Sequence, residues 1–236
     1  MKKITIGELE EKAKQIRRDC FEMIIEAGGG HIPSCMSIIE ILVALYYEIM
    51  KPGDRFILSK GHAGFALYAI LVDKGIISRE EAVKLCPHPE ISTPGIEFSS
   101  GSLGHGLSFG AGLAYAMRKR GQVGNVYVLL GDGECQEGQN EEAIKWITEQ
   151  DLSNIYAIID CNGWMALDRV EMHYKAEVFD GHDIGDIVGT FNNGDERFLI
   201  AKTIKGKGIS YMIDNPIWHY RMPNKEEIEI ARKELE

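Results

Sequence analysis

Apolar residues near the start of the chain recur at steps of three and four positions. Leu9, Ala13, Ile16 and Cys20 lie on one stripe, and the same spacing continues to Ala27. A stripe of this period runs along one side of an α-helix, so the pattern predicts an amphipathic helix that packs one face against a core.

Further helical stretches are spread along the rest of the chain. The predicted ranges are about Cys35–Met50, Leu67–Lys74, Leu107–Arg120, Asn140–Glu149 and Lys225–Leu235. The first of these is apolar on most sides, which predicts a buried helix. Thr5 with Glu8, and Asn224 with Glu227, match the capping box that begins a helix, so they mark the starts of the first and last helices. The glycines after Ala27 end the first helix.

Short β-branched runs bounded by turn residues predict strands. They cover Arg55–Ser59, Asn125–Leu130, Ile155–Asp160 and Arg197–Thr203. Helical stretches separate these runs. Such alternation favours an α/β fold with three layers, in which helices cover both faces of a mainly parallel sheet. Because the sequence contains no internal repeat or linker-like segment, residues 1–236 are predicted to form a single domain.

The composition is that of an ordinary globular protein, with 44% hydrophobic and 26% charged residues. It excludes a disordered chain, a collagen-like chain and a small disulfide scaffold. The net charge of −10 at pH 7 predicts no nucleic-acid partner, because an acidic surface repels phosphate backbones. An anionic ligand would therefore be held locally, by a metal, a helix N-terminus or a few histidines.

The cysteines and the apolar runs indicate the compartment. The five cysteines include no Cys-x-x-Cys pair, which favours reduced thiols over a disulfide framework or a zinc ribbon. The first residues lack the apolar core of a signal peptide, and no apolar run is long enough to span a bilayer. We therefore expect a cytoplasmic protein with no membrane partner.

Polar residues follow two of the predicted strands. Gly131-Asp132-Gly133 ends one, and Asn162 follows the next after 162 − 133 − 1 = 28 intervening residues. That length fits one loop, one crossover helix and one strand, so Asp132 and Asn162 should meet at the edge where parallel sheets bind ligands. Their oxygens suit Mg²⁺ or Ca²⁺. Gly-Asp-Gly alone could be a plain turn, but asparagine is a poor strand residue and its place there needs a reason.

Histidines cluster in loops rich in glycine or proline. Those residues are His31, His62, His88, His105 and His219. Histidine titrates near neutral pH, so several in such loops indicate a role in proton transfer. Zinc is a competing use, but no His-x-x-x-His or cysteine pair supports it. His173 and His182 are interpreted as structural.

Six segments in order extend this pattern over almost the whole chain. They read GGGHIPS, DRFILSKGHAG, PHPEISTPGIEFSSGSLGHGLSFGAGLA, YVLLGDGECQEGQ, AKTIKGKGISYM and WHYRMPNKEE. Together they resemble the N-terminal, diphosphate-binding half of the transketolase family. The resemblance implies the thiamine-diphosphate-binding fold of the PP type, with thiamine diphosphate and Mg²⁺ (or Ca²⁺) as cofactors.

The resemblance also implies roles for particular residues. Asp132, Asn162 and the main-chain carbonyl of Trp164 match the family's metal ligands. The residues that match its cofactor-binding positions are His62, Gly101, Ser102, Leu103, Gly131, Asp132, Gly133, Glu134, Asn162 and His219. The histidines that match catalytic positions are His31, His62, His88 and His219, and the acidic residues that match its subunit interface are Glu137 and Glu142.

The activity implied is transfer of a two-carbon ketol unit from a ketose, or ketose phosphate, to an aldose or its phosphate. The resemblance ends where the family's linker to the pyrimidine-binding half would begin. The glutamate that activates the cofactor lies on that half. A separate pyrimidine-binding subunit is therefore expected, in an α2β2 assembly that acts on small sugars or sugar phosphates.

Three alternatives remain open at this point. One is a related thiamine-diphosphate-dependent synthase that acts on an unusual sugar, and another is a non-catalytic partner subunit. A nucleotide-binding α/β protein is the third, although no GxGxxG or GxxxxGK[ST] follows a strand.

Departures from the family pattern concern the site itself. His105 stands where the family usually has glutamine, and NGWMALDRV replaces a shorter polar loop. The segment between Asn162 and Gly181 is shorter than usual, so a helix is expected to be missing there and the roof of the site to differ.

Overall fold

A five-stranded parallel sheet lies at the centre of the molecule, whose computed structural model describes residues 4–236. The strands are β1 (Arg55–Leu58), β2 (Val126–Gly131), β3 (Ile155–Cys161), β4 (Glu177–Asp180) and β5 (Phe198–Lys202). Their spatial order is β1-β2-β3-β5-β4, and every neighbouring pair runs parallel. The predicted α/β class with a parallel sheet is confirmed.

Helices connect the strands and cover both faces of the sheet. They are α1 (Ile6–Ala27), α2 (Ile32–Met36), α3 (Ile39–Ala44), α4 (Gly64–Asp73), α5 (Arg79–Ala82), α6 (His105–Lys119), α7 (Gly138–Glu149), α8 (Ile184–Asn193) and α9 (Lys225–Glu234). Both predicted capping boxes form, at Thr5 and at Asn224, and Gly28 ends α1 with a φ of 75°. None of the helices within residues 4–236 is long and apolar enough to cross a membrane.

Side chains that alternate along the strands build a separate core on each face. Tyr127 and Leu129 of β2 point into the core formed with α1, α3, α4 and α8. Val126, Val128 and Leu130 point into the core formed with α6 and α7. Because successive strand residues face opposite sides, a run of buried apolar residues supplies both cores at once. This construction leaves the polar residues that follow the strands at one edge of the sheet.

The prediction of one continuous helix over Cys35–Met50 is wrong. A helix begins earlier, at Ile32, with Pro33 in its first turn, where its missing N–H costs nothing. The chain leaves helical geometry at Ile38, whose φ is −116° and ψ 5°, and a new helix starts at the next residue. The segment Leu45–Ile49 then widens into a π-helical turn.

Strand β4 is absent from the sequence-based prediction. It has only four residues, at the edge of the sheet, and Val178 in its middle is 51% exposed. A short strand with one partly solvated face carries too little apolar alternation to be recognised from sequence. The expected lack of a helix between Asn162 and Gly181 is confirmed, since that stretch contains loop and β4.

The contact between α6 and β2 leaves no room for a side chain at Gly110. A Cβ there would lie 2.5 Å from Val128 Cγ2, whereas one at Gly112 on the same helix would meet nothing within 4 Å. We expect Gly110→Ala to lower the free energy of unfolding by about 1–3 kcal/mol through overpacking. Gly112→Ala should leave it unchanged or raise it by up to about 1 kcal/mol, because alanine favours helix. Urea unfolding of both variants checks this, and equal effects would contradict it.

Candidate active site

The carboxyl ends of β2 and β3 lie side by side. Gly131 pairs with Asp160 in the sheet register, and the amide N–H of Asp132 donates to the Asp160 carbonyl at 3.2 Å. The residues that follow each strand, Asp132 and Asn162, therefore reach the same edge of the sheet. This is the placement predicted from their separation in sequence.

A cavity of about 340 Å³ opens at this edge. Its size is in the range of small-molecule sites. The residues that line it are Ser34, Lys60, His62, Leu103, Gly131, Asp132, Gly133, Glu134, Gln136, Glu137, Asn162, Trp164, Met165, Ala166, Lys205 and His219. Most of the predicted cofactor-binding residues are among them.

Asp132 is a buried carboxylate in the wall of this cavity, with 3% of its surface exposed. Its Oδ1 accepts the amide N–H of Gly133 at 2.9 Å, and its Oδ2 accepts that of Gly163 at 2.6 Å. Burial, and next the nearby carboxylate of Asp160, raise the pKa of Asp132 to about 6. A cation bound in the cavity would offset the free-energy cost of burying this charge, because a nearby positive charge favours the ionised carboxylate.

Asn162 and Trp164 line the cavity together with Asp132. Asn162 Oδ1 accepts the amide N–H of Trp164 at 3.2 Å, which leaves a second lone pair free. Trp164 is held by a hydrogen bond from its Nε1 to Asp214 and by the Arg169 guanidinium, which lies 3.8 Å from its ring centroid. One carboxylate, one amide oxygen and one main-chain carbonyl are the hard donors that Mg²⁺ or Ca²⁺ takes.

Those donors by themselves would leave a cation's coordination incomplete. Among residues 4–236, no group of three or more His, Cys, Asp or Glu side chains is arranged to hold a metal. Mg²⁺ is commonly bound by one or two protein carboxylates, with phosphate oxygens and water completing its shell. The donor set therefore fits a cation that is bound together with a diphosphate.

Four loop histidines converge beside the cavity. The ring centroid of His31 lies 5.1 Å from that of His62, 5.0 Å from that of His219 and 6.2 Å from that of His88. His62 and His219 are 5.6 Å apart, and both line the cavity. Tyr220 packs on His31 with a centroid distance of 4.7 Å. The structure thus brings together all four histidines that were predicted to be catalytic.

The surroundings of His31, His62 and His219 lower the pKa of each imidazole and favour its neutral form. Burial, followed by the nearby His219 and His88, lowers the pKa of His31 to about 4. Burial and then Lys205 lower the pKa of His219 to about 4 as well, and burial lowers that of His62 well below its usual value. The Nδ1 atoms of His31 and His219 are buried without a hydrogen-bond partner in the described chain. Neutral rings with free nitrogens are suited to accept protons or hydrogen bonds from a ligand.

The remaining predicted cofactor residues occupy two positions. Leu103 lines the cavity. Gly101 and Ser102 precede it in the same exposed loop, and the φ of Gly101 is 144°. A Cβ on Gly101 would lie 3.4 Å from the His88 ring. Glu134 also lines the cavity, but its carboxylate accepts bonds from Ser59 Oγ, Gly104 N and Gly131 N. Its side chain therefore ties loops together.

Two buried lysines in the cavity wall were missed by the sequence analysis. Lys60 is 1% exposed and forms an ion pair with Asp160. Lys205 is 4% exposed and donates to the carbonyl of Met165 at 2.7 Å, and burial, then Lys60, lowers its pKa to about 8. Lys60 belongs to the motif SKGHAG, and Lys205 belongs to the motif TIKGKG. A lysine is usually exposed, so only its position in the fold reveals it as part of a site.

The other residues singled out from the sequence lie outside the histidine cluster. Glu137 and Glu142 are exposed at the start and on the surface of α7, and Glu137 reaches the edge of the cavity. His105 is exposed at the first turn of α6, and His173 is exposed in a loop. His182 contacts Glu40 at 3.1 Å and accepts the amide N–H of Ile204 at 2.8 Å, which is a structural role.

Comparisons with known proteins identify the family to which the chain belongs. A family model described as "Transketolase, thiamine diphosphate binding domain" matches residues 9–180. An apulose-4-phosphate transketolase subunit of Phocaeicola vulgatus is 37% identical, over 96% of this chain and 93% of the relative. The protein of the same name from Actinobacillus succinogenes is 35% identical, over 98% and 97%.

Longer transketolases match as well. A crystal structure of transketolase from Campylobacter jejuni superposes with a TM-score of 0.88 at 28% identity, over 98% of this chain and 43% of that chain. Human transketolase is 30% identical, over 89% of this chain and 39% of the relative. The chain thus spans less than half the length of these two proteins. It belongs to the transketolase family and contains the family's thiamine diphosphate-binding domain.

Proposed function

We propose that this chain is the diphosphate-binding subunit of a two-component transketolase, which transfers a two-carbon ketol unit from a ketose phosphate to an aldose phosphate. The observation that carries the proposal is the juxtaposition of four histidines with the cavity that contains Asp132 and Asn162. Cation donors on one side and imidazole groups that can transfer protons on the other are what such a transfer requires of this half of a site.

Three residues would bind the metal ion. Asp132, Asn162 and the carbonyl of Trp164 would hold Mg²⁺, or Ca²⁺, which neutralises a diphosphate in an otherwise acidic protein. Thiamine diphosphate, held at this site, would supply the carbon chemistry of the transfer. Gly131 and Gly133 allow close approach of the backbone to the phosphates.

The histidines would bind the substrate and transfer its protons. His31 and His88 would bind substrate hydroxyls, while His62 and His219, which line the cavity, would lie near both the diphosphate and the reacting end of the sugar. Neutral imidazoles accept a proton as a hydroxyl becomes a carbonyl and return it in the reverse sense, which is general acid–base catalysis.

The remaining cofactor contacts come from two loops. Gly101, Ser102 and Leu103 would lie against the cofactor from one side. Glu134 would act by fixing the Gly104 and Gly131 amides that its carboxylate binds.

A separate pyrimidine-binding subunit would complete the site. The relatives from Phocaeicola vulgatus and Actinobacillus succinogenes are each named as one subunit of a transketolase, and this chain matches them over nearly their whole length, which supports a split enzyme. Residues 1–236 would then be a single diphosphate-binding domain, with the pyrimidine-binding domain on the other chain. Exposed Glu137 and Glu142 would contact neighbouring subunits, where carboxylates must be paired if they are buried. An α2β2 assembly closed by a twofold axis is the simplest such arrangement.

The names of the relatives also suggest a substrate. Apulose 4-phosphate is the first ketose phosphate to test, since two relatives above 30% identity carry it in their names. The names thus support an unusual sugar as the substrate of the proposed transfer. The described cysteines are free thiols, in keeping with a cytoplasmic location.

Reconstitution tests the proposal. The purified chain should be mixed with a pyrimidine-binding transketolase subunit, thiamine diphosphate and Mg²⁺, and supplied with apulose 4-phosphate or other ketose phosphates plus an aldose phosphate. We expect ketol transfer only from the mixture. Full turnover by this chain alone, or none from the assembled mixture with any ketose phosphate, would contradict the proposal.

A further inference from the structure

A buried carboxylate lies behind the wall of the cavity, on β3. Asp160 is 0% exposed, and its carbonyl accepts the amide N–H of Asp132 at 3.2 Å. Its side chain accepts hydrogen bonds from four donors in separate segments: Ser37 Oγ at 2.7 Å, Asn162 Nδ2 at 3.2 Å, the Lys60 ammonium and the Thr203 hydroxyl. Asp160 therefore contacts both residues whose side chains would bind the cation.

Charge balance explains only part of this network. A buried carboxylate is costly unless it is paired, and Lys60 supplies the pairing charge. Lys60 is in turn fixed by a hydrogen bond to the Ser34 carbonyl at 3.1 Å. The hydrogen bond from Asn162 Nδ2 to Asp160 brings no charge to this pair, so its consequence is geometric rather than electrostatic.

That consequence concerns the orientation of the Asn162 amide. An ionised carboxylate can only accept hydrogen bonds, so the group that faces Asp160 must be the NH₂ of Asn162. The amide oxygen is then turned to the opposite side, where the N–H of Trp164 meets it at 3.2 Å. A flipped amide would place oxygen against the Asp160 carboxylate and NH₂ where the amide oxygen now lies, and NH₂ cannot bind a cation.

We propose that Asp160 is a positioning residue that holds the Asn162 amide with its oxygen toward the cation, while Lys60 makes the buried carboxylate tolerable. Outer partners of metal ligands commonly orient them in this way. The inference rests on the cofactor site proposed above and adds a residue that touches neither cofactor nor substrate.

Two charge-balanced double variants test the role of position 160. Lys60→Met/Asp160→Leu removes both charges and leaves no acceptor, and an apolar replacement of a buried ion pair is generally tolerated. Lys60→Met/Asp160→Asn is the matched control, because it removes the same charges but keeps an oxygen that can accept from Asn162. We expect the leucine variant to bind Mn²⁺ with thiamine diphosphate about 10–100-fold more weakly than the control, when both are assembled with the pyrimidine-binding partner.

A third substitution separates orientation from stability. Asn162→Asp makes the ligand symmetric, so that either orientation presents an oxygen. In the wild-type background it places a like charge beside Asp160 and should weaken Mn²⁺ binding. In the leucine double variant it should restore at least about 10-fold of the lost affinity. In the asparagine control, which also lacks the like charge but keeps the acceptor, Asn162→Asp should gain at least about 10-fold less, whereas a purely structural role of Asp160 would give equal gains in the two double variants.

Calorimetric titration with Mn²⁺ and thiamine diphosphate gives the affinities, and thermal unfolding reports the fold. Should the leucine variant not fold, Lys60→Met/Asp160→Ala takes its place, because it also removes both charges and the acceptor. Equal effects of Asn162→Asp in the two double variants would overturn the positioning role alone. Wild-type complex that binds no cofactor with Mn²⁺ would overturn the cofactor site and this inference together.

Discussion

Replacing Asp132 with alanine is expected to weaken metal-dependent binding of thiamine diphosphate by at least about 100-fold, because loss of an outer partner alone costs 10–100-fold. Asp132 is the one carboxylate in the proposed donor set, and it is 3% exposed in the cavity wall. Without it, the cation loses a charged ligand and the diphosphate loses its compensating charge.

A matched control is Asp195→Ala, which removes the same charge from an exposed loop before the amino end of β5. Calorimetry on the assembled complex, with and without Mg²⁺, measures the cofactor affinity of both variants. The control should behave as wild type. Unchanged affinity and metal dependence in Asp132→Ala would show that the cation lies elsewhere.

Alanine at any of the clustered histidines should lower kcat by about 10²–10⁴-fold, which is the usual contribution of a general acid or base. The residues to replace one at a time are His31, His62, His88 and His219. His31 is the best single test, since its ring lies within 5.1 Å of both His62 and His219 and carries a buried Nδ1 without a partner in the described chain.

Folding should change much less than turnover, because half-buried loop histidines contribute little to a core. His173→Ala is the control, as His173 is exposed in a loop and lies outside the cluster. Steady-state kinetics of the reconstituted enzyme and thermal unfolding are measured for each variant. Parallel losses of stability and activity in the cluster, with kcat per folded molecule unchanged, would instead indicate structural histidines.

Periodicity and turn chemistry were enough to predict four of the five strands, because each signal is local. Val126–Gly131 and Ile155–Cys161 are short apolar runs with buried residues on both sides, and only a parallel sheet covered on both faces buries such strands completely. The capping box at Thr5 depends on residues three positions apart, so it is readable without tertiary structure.

Motif spacing also placed Asp132 and Asn162 together, since consecutive parallel strands end at one edge. Local signals did not predict the places where a tertiary contact overrides the conformation that neighbouring residues favour. The break at Ile38 interrupts a mostly apolar run, and Ser37 in that break donates to Asp160, far away in sequence. Such a break reflects a tertiary contact, which no window of neighbouring residues contains.

Only the tertiary structure shows which charged side chains are buried. Lys60 and Lys205 occur in recognisable motifs, yet nothing local distinguishes a buried lysine from an exposed one. The ion pair of Lys60 with Asp160 joins residues a hundred positions apart, and Asn162 Nδ2 donates to the same carboxylate. The sequence by itself determined which atoms are available for the chemistry. Their orientation and charge state depend on long-range packing and desolvation, which exist only in the folded chain.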